Sequence, residues 1–96
     1  ITMPNSFALK GNYPNPFNPS TNIAYSIDMN SKVNVKIYSL LGEEITSLFS
    51  GDVNPGTHEV QWNGVDNAGV AVASGVYIYR VEANNQALTG KMMLLK

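Results

Sequence analysis

The chain of 96 residues contains no cysteine, few charged residues and no long apolar run. Without cysteine it can form no disulfide and no cysteine-ligated zinc site. Six basic and seven acidic residues give a formal net charge of −1, which argues against nucleic acid as a partner and against a basic membrane-surface helix. No apolar run approaches the roughly 20 residues of a membrane-spanning helix, so no transmembrane segment is expected.

Hydrophobic and polar residues alternate with a period of two along most of the chain, as at Ile23, Tyr25 and Ile27. This pattern is typical of strands with one buried face. Residues 43–49 could form two helical turns, but the segment is short and lies between glycines, so a strand is favoured. Seven strands are predicted at about residues 6–10, 21–28, 32–40, 43–50, 56–62, 75–83 and 87–95. Short strands with regular turns predict an all-β, seven-stranded antiparallel Ig-like sandwich formed by one domain.

Turn-forming residues separate the predicted strands. The Asn30-Ser31 pair predicts a hairpin between the second and third strands, and Asn84-Asn85 predicts the last hairpin. Gly42 is expected at a turn with positive φ.

The segment 12–20 carries three prolines, which fix φ and restrict the residues before them. It is interpreted as a stiff crossover between two sheets, without ladder hydrogen bonds, and with Tyr13 and Phe17 anchored on the body of the domain. The alternative is a proline-motif ligand for another domain.

No arrangement of residues indicates catalysis or a cofactor. The only histidine, His58, shares a strand face with Val60 and Trp62 and is interpreted as a packed residue. The seven carboxylates are scattered, and a sandwich of this size offers no deep cleft that would shift their pKa values. We therefore expect no catalytic residue, no cofactor and no enzymatic activity.

The loop that follows Trp62 allows two interpretations. Asn63, Asp66 and Asn67 supply the oxygen ligands that calcium prefers, which makes them the candidates for a metal site. The favoured alternative is a tight turn in which Asn and Asp side chains bind backbone N–H groups and glycines take positive φ.

Aromatic residues offer a different binding function. Several in one exposed plane could stack on sugars, as in a carbohydrate-binding or spacer module of a surface hydrolase. Strand parity instead places Trp62, Tyr77 and Tyr79 in the core and leaves Tyr38 as the most exposed aromatic residue.

Three segments, in order, resemble the C-terminal sorting domains of the type IX (Por) secretion system. They are residues 13–21, residues 35–44, and the stretch from residue 56 to the final segment 91–96. The matched positions are Tyr13, Pro14, Asn15, Pro16, Asn18, Gly42, Trp62, Gly64, Asp66, Gly69, Ser74, Gly75 and Tyr77. The stretch from Trp62 to Tyr77 also resembles the Ig-like domain of flagellar hook-capping proteins.

The sorting resemblance implies a seven-stranded Ig-like sandwich with a recognition role. Such domains direct an attached upstream cargo protein from the periplasm across the outer membrane, to the cell surface or the medium. The implied partners are the outer-membrane secretion machinery and a sortase-like peptidase that often removes the domain. In the family the last strand carries much of the signal, which here implies recognition by Lys91, Met92, Met93, Leu94, Leu95 and Lys96.

Two further expectations concern the ends of the chain. Residues 1–6 are expected to be a linker remnant from the upstream cargo domain. The last strand is predicted at or near a sheet edge, where its backbone can add to the sheet of a partner.

Overall fold

A computed structural model describes residues 7–96, so the expected linker at residues 1–6 lies outside the described part. The described residues form seven strands: β1 (Ala8–Tyr13), β2 (Thr21–Ile27), β3 (Ser31–Ser39), β4 (Glu44–Val53), β5 (Gly56–Trp62), β6 (Gly75–Ala83) and β7 (Gln86–Leu94). Across this part of the chain, no helix is long and apolar enough to cross a membrane.

The seven strands form two antiparallel sheets. One sheet has three strands in the order β1-β2-β5, and the other has four in the order β4-β3-β6-β7. The paired strands run antiparallel throughout both sheets. This arrangement confirms the predicted seven-stranded antiparallel Ig-like sandwich.

Six of the predicted strands match the observed ones to within three residues at either end, including the segment 43–49, for which a strand was favoured over two helical turns. The exception is β1, which was predicted at residues 6–10 but begins at Ala8 and continues to Tyr13. Its register shifts between Leu9 and Gly11, and Gly11 has a φ of 97°. Such a bulge breaks the period of two, so alternation alone could not follow the strand through it.

Within residues 7–96, two turns connect strands that are neighbours in the four-stranded sheet, one between β3 and β4 and one between β6 and β7. Gly42 has a φ of 90° between β3 and β4, as expected. Asn84 and Asn85 have φ values of 50° and 67° between β6 and β7, as a two-residue type I′ hairpin requires, and this confirms the last predicted hairpin. The hairpin predicted at Asn30-Ser31 is wrong, because β2 and β3 belong to different sheets.

The core between the sheets is built around Trp62, which is almost fully buried. Its ring centroid lies 5.6 Å from that of Phe17 and 5.2 Å from that of Tyr77. Its indole Nε1 donates a hydrogen bond to the Val65 carbonyl over 2.9 Å. Tyr79 is buried in the same cluster, so the core positions predicted for Trp62, Tyr77 and Tyr79 are confirmed.

His58 is partly buried on β5. Its Nε2 atom lies 2.6 Å from the Asn54 carbonyl oxygen, and its ring centroid lies 5.7 Å from that of Tyr25. These contacts fit the interpretation of His58 as a packed residue.

Candidate recognition site at the edge of the four-stranded sheet

The proline-rich segment 12–20 lies differently from the predicted crossover. It joins β1 to β2, which are neighbours in one sheet, and touches β7 of the other sheet on the way. The Phe17 N–H donates to the Met93 carbonyl, and the Leu95 N–H donates to the Phe17 carbonyl, each over 2.9 Å. The prediction of no ladder bonds is therefore also wrong. Prolines lack an N–H, but Phe17 lies between them and retains its own.

The two proposed anchors of this segment behave in opposite ways. Phe17 is 2% exposed and packs against Trp62, so its anchoring role is confirmed. Tyr13 is 81% exposed, so its predicted role is wrong. The bulged strand β1 carries Tyr13 into the ladder opposite the exposed residue Asn22, which places its side chain on the solvent face.

Side-chain hydrogen bonds hold the proline-rich segment in place. Asn15 Oδ1 accepts the Met93 N–H over 3.0 Å. Thr21 Oγ1 donates to the Pro14 carbonyl over 2.8 Å, and Asn12 Nδ2 donates to Thr21 Oγ1 over 3.2 Å. The start of the segment is thus fastened to β2 and its middle to β7.

The final segment 91–96 divides into two sets by strand parity. Met92 and Leu94 face the core and are almost fully buried. Met93 is 39% exposed and Leu95 is 50% exposed, on the outer side. Lys91 and Lys96 are also exposed, and the Lys96 N–H donates to Ser74 Oγ over 3.0 Å. Only the exposed set can contact a partner while the sandwich stays folded.

Strand β7 forms one edge of the four-stranded sheet, as predicted. Its register with β6 is continuous, so alternate residues direct both backbone groups away from β6. Met93 belongs to this outward set, since its N–H and carbonyl bind Asn15 and Phe17. The same parity directs the backbone groups of Ala87, Thr89 and Lys91 outward, and none of the residues 7–96 pairs with them. We call these three residues the open β7 edge.

The opposite edge of this sheet, β4, is partly covered by the loop 63–74. The Asn67 N–H donates to the Ile45 carbonyl over 3.2 Å. Asn67 Oδ1 accepts hydrogen bonds from Thr46 Oγ1 over 2.9 Å and from the Ser47 N–H over 3.4 Å. Asn67 therefore occupies the position of a neighbouring strand at the start of β4.

The other metal candidates lie in the same loop. Asp66 Oδ1 accepts the N–H groups of Ala68 and Val70 over 2.9 and 3.0 Å. Gly64 and Gly69 have φ values of 74° and 80°, and Asn63 is exposed. These contacts match the turn interpretation. Within the described chain, no three His, Cys, Asp or Glu residues are grouped where they could hold a metal ion.

A mostly apolar groove of about 360 Å³ lies where the open β7 edge meets the proline-rich segment. Its walls are Asn15, Pro16, Val76, Lys91, Met92 and Met93. Of the other cations on the same face of this sheet, Lys36 Nζ lies 3.6 Å from Glu44 and Arg80 Nε lies 2.8 Å from Glu82 without hydrogen-bond geometry, whereas Lys32 has no carboxylate partner among the described residues. Lys91 has no such carboxylate among the described residues.

Among the described residues, most of the aromatic side chains proposed for sugar stacking are buried. Trp62, Tyr25, Tyr77 and Tyr79 are buried, and burial raises the pKa of each of these three tyrosines above its usual value. Tyr38 is only partly exposed, so Tyr13, not Tyr38 as predicted, is the most exposed tyrosine. Tyr38 lies between Glu44 and Ile78 in the sheet register, so it has a cross-strand neighbour on each side.

Comparison with known proteins gives matches at the level of family and fold. The family model described as the FlgD Ig-like domain matches residues 18–87. The structure of dimeric latent PorU from Porphyromonas gingivalis is similar over 99% of this chain, with a TM-score of 0.78 and 22% identity. PorZ from the same organism is similar over 95%, with a TM-score of 0.61 and 22% identity.

The structural matches involve only a small part of each of the two larger proteins. The chain spans 10% of PorU and 12% of PorZ. No curated protein sequence matches it. The family model covers well over half of the chain, including the stretch from Trp62 to Tyr77 that resembles hook-capping proteins. The chain therefore belongs to the FlgD Ig-like domain family.

Proposed function

We propose that this chain is a non-catalytic C-terminal sorting domain of the type IX secretion system. It directs an attached upstream cargo protein from the periplasm across the outer membrane to the cell surface or the medium. Its partners are the outer-membrane secretion machinery and a sortase-like peptidase that removes the domain. The segment 91–96 supplies the recognition residues, through the side chains that β7 leaves exposed.

The contact between the first and last motifs carries this proposal. The two segments that most resemble the sorting family lie at opposite ends of the chain, yet Asn15 and Phe17 bind Met93 and Leu95 directly. The opening motif therefore fastens the C-terminal end of the last strand, which β6 holds at the sheet edge. A recognition signal needs this kind of rigid presentation, because ordering a flexible segment on binding costs affinity.

The structural comparisons add support. PorZ is described as an essential bacterial surface component of the type IX secretion system, and this chain shares the fold of one part of it. An Ig-like domain of the same shape in such a component fits a role in that system and a location at the outer membrane or outside the cell.

The proposal of a non-catalytic role rests on where the polar groups are engaged. The His58 ring contacts the Asn54 carbonyl, and Asp66 binds its own turn. The Lys36–Glu44 and Arg80–Glu82 pairs lie partly exposed on strands of the outer face. These side chains serve local structure, which leaves surface recognition as the function with the best geometric support.

A secretion assay with exposed-residue variants tests the sorting role. A fluorescent cargo with a Sec signal is fused to residues 1–96 and expressed in a host with the type IX machinery. The double variant Met93→Ser/Leu95→Ser removes apolar side chains that face solvent, so it should fold and yet lose most export. The matched control is Leu41→Ser, at a position 89% exposed on the β3–β4 turn, which should be exported normally.

Truncation at Gly90 or a charge at Met92 or Leu94 is a poor test, because these changes remove or disrupt core residues and would unfold the sandwich. Circular dichroism of the purified fusions verifies that each variant is folded. Retention of a folded wild-type fusion in the periplasm would overturn the sorting proposal. Normal export of the Met93/Leu95 variant would show that these side chains are not recognised.

A further inference from the structure

We propose that the open β7 edge binds an extended segment of the secretion machinery as an added strand. The segment places a carboxylate beside Lys91 and an apolar side chain in the groove between Pro16 and Val76. This inference rests on the proposed sorting function and specifies the chemistry by which the machinery recognises the domain.

The backbone of β7 supplies the first argument. The N–H and carbonyl groups of Ala87, Thr89 and Lys91 point away from β6, and their side chains are exposed. Their spacing matches the ladder of a neighbouring strand, which would bond to each in turn. An unpaired row of this kind is the usual template for strand addition.

The chain itself uses the outward backbone groups at the C-terminal end of this edge. At Met93 the outward N–H and carbonyl bind Asn15 and Phe17, and Phe17 forms a parallel bridge with Leu94. The proline-rich segment thus covers the C-terminal end of the edge and stops short of Lys91. An added strand would continue the same row toward Ala87.

The groove and the charge define the chemistry of the incoming segment. Pro16, Val76 and Met93 provide apolar walls at the end of the row. Lys91 lines the same groove, and its ammonium group has no carboxylate partner in the described chain. An extended segment with one acidic residue next to an apolar residue complements both features, since cross-strand neighbours of opposite charge stabilise pairing.

The β4 edge of the same sheet lacks these properties. The hydrogen-bond register can be followed from β7 through β6 and β3 to β4. It directs the backbone N–H and carbonyl groups of Ser50 and Asp52 away from β3, at the outer edge of the sheet. The exposed carboxylate of Asp52 would repel an acidic segment, and Asn67 already covers the beginning of this edge. Two edges of one sheet therefore offer a matched pair for an experiment.

The decisive comparison is Thr89→Pro against Ser50→Pro. Each proline removes an outward N–H from an edge strand and keeps the ladder on the inner side, so both variants should fold. We expect export of the Thr89→Pro fusion to fall about tenfold, which corresponds to about 1.4 kcal/mol. Export of the Ser50→Pro fusion should match that of the wild-type domain. Thermal melts of both purified variants provide the folding control.

A charge series at Lys91 tests the second feature. Lys91 is exposed, so neither Lys91→Glu nor Lys91→Arg should disturb the fold. Export should fall with glutamate and be retained with arginine, because only the first reverses the charge presented to the acidic residue.

The outcomes separate this inference from the function on which it rests. If the wild-type fusion is exported and folded Thr89→Pro is exported equally well, strand addition at β7 is wrong while the sorting role stands. If the folded wild-type fusion is not exported, both the sorting function and strand addition at β7 are wrong. If sedimentation velocity shows that the wild-type domain is a dimer and Thr89→Pro a monomer, the occupant is a second copy of this chain, which also overturns the proposal.

Discussion

Gly90 on β7 lies directly against the ring of its cross-strand partner Tyr79 on β6. A Cβ atom at position 90 would overlap the Tyr79 ring, although the backbone at Gly90 lies outside the left-handed region. Because Tyr79 is buried in the core cluster, its ring has little room to move. The glycine is thus required by packing, on the strand that we propose to be the recognition element.

Gly90→Ala should lower the free energy of unfolding by about 1–3 kcal/mol, the usual cost of overpacking a core. Chemical denaturation monitored by circular dichroism measures the change. Gly51→Ala on β4 is the matched control, because a Cβ there meets only the end of the Phe49 ring at 3.4 Å. Equal stability of the two variants would contradict the packing role of Gly90.

Phe17→Ala should destabilise the domain by about 3–5 kcal/mol, because it removes a buried aromatic side chain that packs against Trp62. Tyr13→Ala should change the free energy of unfolding little, since its ring is solvent-exposed. Urea unfolding of the two variants side by side makes the comparison. A large decrease in the free energy of unfolding of Tyr13→Ala would contradict the conclusion that, of these two aromatic residues, Phe17 is the anchor.

The same pair of residues illustrates what the sequence could predict. Alternation predicted strands such as β2, β3 and β6 well, because each of them buries one face at every second residue. It placed Trp62 and Tyr77 correctly for the same reason. It could not place Tyr13, because the bulge at Gly11 shifts the register of β1. It also could not show that Phe17 would pair with β7, since that contact joins distant parts of the chain.

The pairing of strands was the least predictable part of the fold. Asn30-Ser31 has the composition of a hairpin turn, and the chain does change direction there. Turn chemistry fixes local backbone angles but not the sheet that the next strand enters. For the candidate site, the resemblance indicated the segment 91–96, but only the register showed that Met92 and Leu94 face the core.

Calcium should leave the melting temperature of the domain unchanged at millimolar concentration. Asp66 Oδ1 already accepts two backbone N–H groups, and Asn67 Oδ1 binds Thr46 and Ser47. Asp66→Ala should cost about 1–2 kcal/mol through loss of these turn hydrogen bonds, and Asp66→Asn should retain much of this stability. Thermal melts with calcium and with a chelator measure both effects; a calcium-dependent rise would assign a metal site to this loop.

Alkaline pH should destabilise the fold through its buried tyrosines. Burial raises the pKa of Tyr25, Tyr77 and Tyr79 above the usual value of 10.0. Because their pKa is raised in the folded state, the stability contributed by these neutral, buried tyrosines is fully present below pH 10. This contribution is lost as the pH rises through the folded-state pKa values. Absorbance titration should therefore show delayed ionisation that coincides with unfolding. Early ionisation of all five tyrosines in a folded domain would contradict this prediction.

The parallel bridge between Phe17 and Leu94 has a mechanical consequence. Consider a force that pulls the chain on the N-terminal side of Phe17 away from the chain on the C-terminal side of Leu95. This force acts along the two paired segments in opposite directions. It therefore shears the Phe17–Met93 and Phe17–Leu95 hydrogen bonds together, whereas a hairpin pulled at its open end breaks its bonds one after another. The last strand would stay attached under load until the Phe17 ring leaves the core.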